Sequence, residues 1–312
     1  MKTWCKWCLF FLVLVTTGTV MGDELPKVNA TAAILVNAET GEVLYSKHSR
    51  NIMAPASTTK IMTAIIAIEN GNLDRNIKVS RTAAAKPGSS MYLKRGEVQT
   101  LRNLLYGLML ASGNDSATAI AEAIAGSERQ FAQMMTRKAR KLGMKDTQYQ
   151  NASGLPAAGH YTTAYDMSIL ARYCLKNQVF AEIVQTKVTA VPSSRSSDHR
   201  TLKNHNKLLW QYPYTTGIKT GYTRRAGKCL VASANQNGTS LISIVLKSNT
   251  MYDDSIHLFD FGFQKFIPVV DDISVDSTVP ENKESLKGPM EMERENQPAS
   301  APYLPQTDSG RM

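Results

Sequence analysis

The spacing of apolar positions changes along the chain and marks out its elements. Residues 32–36 and 43–45 are short apolar runs on either side of Asn37-Ala38-Glu39-Thr40-Gly41, a turn with glycine near its end. They predict a β-hairpin. Ile61, Met62, Ile65, Ile66 and Ile68 then recur at helical spacing and predict a helix over 57–69. "QTLRNLLYGLMLASGNDSATAIAEAIAG" holds two helical runs interrupted by Ser112-Gly113-Asn114. "SERQFAQMMTRKARKLGM" predicts another helix, with Phe131, Met134, Met135 and Leu142 on one side. "TAYDMSILARYCLKN" predicts a further one, opened by Thr162 or Thr163 with Asp166 in near capping-box position. After Trp210 the pattern turns to strands: "TTGIKTGYT", then two apolar runs in "KCLVASANQNGTSLISIVLKS" joined by Asn235-Gln236-Asn237-Gly238. "DDSIHLFDFGFQKF" predicts a last helix.

Strands at both ends and helices between them predict one α+β domain. Its antiparallel sheet would take strands from both chain ends, with helices covering it and forming a helical subdomain. Beyond Val270 the periodicity stops. Residues 271–312 are rich in Pro, Glu, Ser and Asn and read as a flexible polar tail with no apolar stripe for a membrane anchor. Residues 1–22 begin with Lys2 and Lys6, continue with an apolar run over 8–15 and end in small residues. They read as a signal peptide cleaved after Gly22, the run being short for a membrane span. The expected organisation is therefore a leader over 1–22, a domain over 23–270 and a tail over 271–312. Location outside the cytoplasm follows, with membrane contact only if the leader is retained.

Export changes what cysteine and charge mean. Cys5 and Cys8 leave with the leader, so Cys174 and Cys229 remain, too few for a disulfide framework and in no CxxC or Cys/His cluster. Two buried thiols are the simplest reading, a single disulfide the other, and no metal or cofactor is expected. The whole chain has a formal net charge of +10, although residues 271–312 carry nine acids against four bases. The excess positive charge thus sits on the body of the protein. An exported basic domain fits an anionic partner: a wall polymer, an anionic lipid or a substrate with a free carboxylate. No nucleic-acid-binding motif is present.

Three short motifs carry candidate chemistry. Ser57 and Lys60, in "PASTTK", are three residues apart at a helix start and so share a face. A serine hydroxyl needs a base, and a lysine serves if burial or nearby cations lower its pKa. The ordinary reading is a capping serine beside a solvated lysine. That leaves the cation at the helix end where the dipole disfavours it. Ser112-Gly113-Asn114 can present a hydroxyl and an amide from a turn between helices. Lys219-Thr220-Gly221 lies on a predicted strand, where Lys and Thr can hold an anion and Gly permits close backbone approach. A turn and a polar strand residue explain either motif alone. The three in this order, at a helix start, an interhelical turn and a late strand, form the pattern of penicillin-recognising serine enzymes.

Over roughly residues 28–267 the chain resembles the low-molecular-weight penicillin-binding proteins, the serine-type D-Ala-D-Ala carboxypeptidases. "GSSMYLKRGE", "LLYGLMLASGNDSA", "NASGLPAAGHYTTAYDMSILARY" and "TGIKTGYTRRAGKCLVASA" match besides the motifs. The resemblance implies a β-lactamase/penicillin-binding-protein-like fold. It implies Ser57 as acylated nucleophile, Lys60 as general base and Ser112 as proton shuttle. Asn114 would bind the substrate amide, and Lys219, Thr220 and Gly221 the terminal carboxylate end. The backbone N–H groups of Ser57 and Tyr222 would form the oxyanion hole. Peptidoglycan stem peptides would be substrates and β-lactams covalent inhibitors. Many relatives carry an arginine before the last helix, but none lies between Lys247 and Asp260. The carboxylate would then rest on Lys219 and Thr220, alone or with Arg224 or Arg225. His160 and His205 are expected to make structural hydrogen bonds. A β-lactamase, an endopeptidase and a non-catalytic wall-binding protein are the competing readings; no Glu-x-x-x-Asn loop of the first kind lies between the second and third motifs.

Overall fold

The computed structural model describes residues 24–193 and 199–266. The expected leader and polar tail lie outside the described residues. The chain opens with the expected hairpin, β1 (Ala32–Asn37) and β2 (Val43–Lys47). A 3-10 turn (Ala56–Thr59) then runs straight into α1 (Lys60–Asn70). The middle of the chain holds β3 (Asn76–Lys78), α2 (Arg81–Ala84), β4 (Val98–Thr100), α3 (Leu101–Met109), α4 (Asn114–Ala125), α5 (Glu128–Lys141), α6 (Ala164–Leu175) and α7 (Gln178–Gln185). It ends with β5 (Val188–Pro192), β6 (His199–Lys203), α8 (Leu208–Gln211), β7 (Thr215–Thr223), β8 (Gly227–Gln236), β9 (Thr239–Ser248) and α9 (Met251–Gln264).

The main sheet has the order β2-β1-β9-β8-β7, and every pairing is antiparallel. The amino-terminal hairpin therefore joins the carboxy-terminal strands, as the strand pattern predicts. β8 and β9 are central and buried on both faces. That is why their sequences read as continuous apolar runs instead of alternating. β1 splits its side chains by period two: Ile34 and Val36 enter the larger core under the helices, while Ala33 and Leu35 face α9. Leu258, Phe259 and Phe263 of α9 fill that second layer with Tyr212.

α1 runs through the larger core and is buried from Lys60 to Ala67. A helix apolar all round belongs in an interior, and this one takes Lys60 in with it. Around it, α3, α5, α6 and α7 start at side-chain caps: Thr100, Ser127, Thr163 and Asn177 each accept from a backbone N–H in the first turn. Of the two threonines expected before α6, Thr163 is the cap. Phe131 and Met135 of α5 are buried as expected, whereas Met134 and Leu142 are only partly so. Strand β7 ends the sheet, so among the described residues one of its edges has no neighbouring strand.

Phe259 is fully buried and stacks on Tyr212 and Phe263 at ring distances of 5.8 and 6.2 Å. Phe259→Ala should cost about 3–5 kcal/mol of stability, measurable by urea denaturation. A cost well below that range would contradict the two-layer packing.

Candidate active site

Ser57 does not cap an α-helix. It lies in the 3-10 turn, and α1 begins at Lys60, with no side chain capping its amino terminus. With three residues per turn, positions i and i+3 eclipse, so the turn aligns Ser57 with Lys60 more closely than an α-helix would. Entry to the turn is strained: Ala56 has a φ of +48°. Gly154 fits against the turn because it lacks a side chain; a Cβ there would meet the Ala56 carbonyl oxygen at 1.8 Å.

The Lys60 side chain is fully buried. Its Nζ lies 3.0 Å from Ser57 Oγ, 2.7 Å from Asn114 Oδ1 and 2.6 Å from the Ser153 carbonyl oxygen. The Asn114 amide is oriented by its own Nδ2, which donates to the Pro87 carbonyl at 2.7 Å. Both the Asn114 Oδ1 and the Ser153 carbonyl can only accept. A neutral amine has two N–H groups, and these two acceptors take both. In that form its lone pair is left for the Ser57 hydroxyl to donate to, whereas an ammonium donates its third N–H to Ser57 Oγ. Burial pushes the Lys60 pKa well below 10.5, and the ammonium of Lys219 pushes it further. Asp115 and Glu128 pull the other way, more weakly.

Those two carboxylates also hold the surrounding loops. Asp115 accepts from the Ser90 hydroxyl and from the backbone N–H groups of Met91 and Leu93. This ties the Gly88–Leu93 segment to the start of α4. Glu128 pairs with Lys86 and accepts from the Ala152 N–H at 3.3 Å, beside the Ser153 carbonyl. Asn151 Oδ1 accepts from the N–H groups of Ser153 and Gly154 and completes that turn. The sequence motifs do not contain Ser153, Asp115 or Glu128. Asp115 had a local signal, an acid in the first turn of a helix directly after the motif; the other two are placed by tertiary packing.

Ser112 is 4 % exposed and has a φ of +58°. Among the described residues its hydroxyl makes no hydrogen bond. Asn114 is the first residue of α4, one step inside the helix rather than in the turn. On the sheet, Lys219 is buried, its Nζ donating to the Thr220 carbonyl at 3.1 Å, and burial lowers its pKa to about 7. Gly221 brings β7 against the serine turn: a Cβ there would meet the Ser57 backbone nitrogen at 2.9 Å and Ala56 Cβ at 3.1 Å. The Tyr222 side chain is exposed. Thus all three motifs converge on one place.

His160 is structural, as expected. Its Nδ1 accepts from the Gln150 N–H at 3.3 Å, so its Nε2 carries the hydrogen and donates to Thr59 Oγ1 at 3.0 Å. Burial holds its pKa near about 4. His205 differs from the structural expectation: its imidazole makes no hydrogen bond among the described residues. It lines a cleft of about 800 Å³ with Gly88, Tyr92, Ala111, Lys203 and Trp210. Burial lowers its pKa, and the charges of Lys219 and Lys60 lower it further. Arg224 and Arg225 are exposed beyond the end of β7. Cys174 and Cys229 are free and buried.

The sequence profile of the family described as D-alanyl-D-alanine carboxypeptidase matches residues 19–250. The chain is 38% identical over 245 residues to the D-alanyl-D-alanine carboxypeptidase DacF of Bacillus subtilis, across 76% of this chain and 63% of that one. It is 34% identical over 260 residues to DacD of Escherichia coli, across 78% and 66%. The chain therefore spans under two thirds of the length of these relatives. The crystal structure of the Streptomyces K15 DD-transpeptidase superposes with a TM-score of 0.74 at 31% identity, covering 77% of this chain and 99% of that one.

The lowered Lys219 pKa has a consequence for stability. Between about 7 and 10.5 the unfolded chain holds a proton on this lysine that the folded chain does not. Stability from this group therefore rises with pH across that window. The unfolding free energy of the wild type minus that of Lys219→Met should rise as pH goes from 7 to 10.5, read by urea denaturation at stepped pH. A difference that does not change with pH would contradict the lowered pKa.

Proposed function

The chain belongs to the D-alanyl-D-alanine carboxypeptidase family, and on that premise we propose that it removes the terminal D-alanine from peptidoglycan stem peptides through an acyl-enzyme on Ser57. The observation that carries this reading is the set of neighbours around Lys60 Nζ. Two obligate acceptors take the N–H groups of a neutral amine and leave its lone pair facing Ser57 Oγ. That is the arrangement a general base requires: hydrogen-bond reach first, then a pKa displaced towards neutrality.

In this reading Lys60 takes the Ser57 proton while Oγ attacks the carbonyl carbon of the penultimate D-alanine. The oxyanion forms beside the start of α1, where backbone N–H groups of Ser57 and Tyr222 receive it and the helix dipole favours negative charge. Collapse breaks the peptide bond. The leaving amine takes a proton from the Lys60 ammonium, relayed by Ser112, whose hydroxyl has no other partner among the described residues. Water then attacks the ester, with Lys60 again the base, and releases the shortened stem. The substrate lies against the free edge of β7 by strand-like pairing. Its carboxylate sits at Lys219 and Thr220. Asn114 keeps one amide N–H for the substrate, since Oδ1 serves Lys60 and the other N–H serves Pro87.

Peptidoglycan lies outside the cytoplasmic membrane, so in this reading the protein works there and contributes to wall biogenesis. A β-lactam ring presents a carbonyl and a carboxylate to the same groups and should acylate Ser57. With no deacylating glutamate loop the adduct is long-lived, which separates this reading from a β-lactamase.

Intact mass spectrometry after incubation with benzylpenicillin should show one adduct on the wild type and none on Ser57→Ala. Rapid turnover of the drug without an adduct would sink the proposal. The acylation rate should rise with pH through a pKa well below 10.5. Lys60→Gln should lower it by about 10²–10⁴-fold, the range of general-base catalysis. Release of D-alanine from a pentapeptide stem, followed by mass spectrometry, tests the hydrolytic half.

A further inference from the structure

A second groove, separate from the serine cluster, has a chemistry of its own. It has a volume of about 590 Å³ and lies between α5 and the 148–150 segment. Arg129, Arg137 and Arg140 line it together with Gln133, Gln148 and Gln150, and no aspartate or glutamate does. The three arginines are exposed. Among the described residues none has an ion pair or a side-chain hydrogen bond. They lie along about 16 Å of helix, at 1.5 Å per residue.

Helix stability accounts for Arg140, which lies in the last turn of α5 where the dipole favours a cation, but not for the row as a whole. Arg129 is the second residue of α5, where the helix dipole disfavours a cation. The acid beside it, Glu128, is engaged by Lys86. Arg137 and Arg140 are three apart and repel, since neighbours at that spacing face each other. A solvated helix would place acids among these bases. Instead α5 keeps a self-repelling row of forked donors, backed by side-chain amides, with no acid in the groove.

Guanidinium groups suit phosphate oxygens because they bind two at a time. A row of them suits an anion that repeats. We propose that this groove binds a linear phosphate-bearing wall polymer and so holds the enzyme on the wall that carries its substrate. The proposal needs only that the protein meets the wall; it does not depend on the chemistry at Ser57.

The test uses the full chain and walls carrying poly(glycerol phosphate), alongside the same walls stripped of polymer with hydrofluoric acid. The wild type should co-sediment with the first and be released by salt. The triple variant Arg129→Gln, Arg137→Gln, Arg140→Gln should bind about tenfold more weakly, with a shallower salt dependence. Its circular dichroism and its acylation by penicillin should be unchanged. A charge-matched variant at exposed sites outside the groove, Lys78→Gln, Lys94→Gln, Lys176→Gln, should bind as the wild type does. Equal binding to stripped walls, equal loss in both triple variants, or unchanged binding by the arginine variant would overturn the proposal. So would tighter binding to phosphatidylglycerol vesicles than to polymer, which would make this a membrane surface. Failure of wild-type acylation by penicillin would strike the reading of Ser57 and leave the polymer result to stand by itself.

Discussion

Everything at this site follows from burying one lysine. An ammonium taken out of water costs several kcal/mol even after the protein relaxes. The chain nevertheless carries Lys60 into its larger core as the first residue of α1. The cost falls steeply if the group is neutral, and the neighbours can satisfy the neutral form. Two carbonyl oxygens absorb its donors, the Ser57 hydroxyl faces its lone pair, and a second buried lysine discourages a proton. Stability and reactivity thus ask for the same protonation state. The helix dipole joins them: a charge at the start of α1 is disfavoured, whereas a neutral amine is not.

Holding that amine in place requires loops that do not move, and two acids supply them. Asp115 fastens the 88–93 segment to the first turn of α4, which carries Asn114. Glu128 fastens the turn that presents the Ser153 carbonyl. Both are close enough to raise the Lys60 pKa, and both are themselves committed to hydrogen bonds or an ion pair. Close backbone contact completes the frame. Gly221 and Gly154 press on the serine turn from two sides, each at a distance that a methyl group would forbid. The sheet edge, the helix start and the 151–155 turn are therefore one mechanical unit.

The elements that sequence exposed best were those with long periodic patterns. The β1–β2 hairpin, the β8–β9 hairpin, and helices α3 to α6 and α9 follow from apolar spacing and turn residues. The eight residues of α7 and the three-residue strands β3 and β4 are too short to establish a period. The motif residues were legible because their chemistry is unusual for their positions: a lysine at a helix start, a Ser-x-Asn turn, a Lys-Thr-Gly strand. The backbone groups were not. Nothing in the letters of "NASG" says that a carbonyl oxygen there will accept from Lys60, because any residue has a carbonyl. Ser57 sits on a 3-10 turn because a strained Ala56 and a tight contact at Gly154 tighten the helix entry, and neither has a periodic signature. His205 reads as structural because no nucleophile stands beside it in sequence; in the fold it follows β6, and its backbone N–H donates to the Leu110 carbonyl.

The protonation state of Lys60 is the centre of the account, and it can be read directly. With lysines labelled at Cε with ¹³C and the Lys60 resonance assigned by its loss in Lys60→Gln, its shift can be followed from pH 5 to 11 by NMR. The account predicts an inflection well below 10.5, and a higher one once Lys219→Met removes the neighbouring charge. An inflection at the ordinary value of 10.5, unmoved by that substitution, would contradict it.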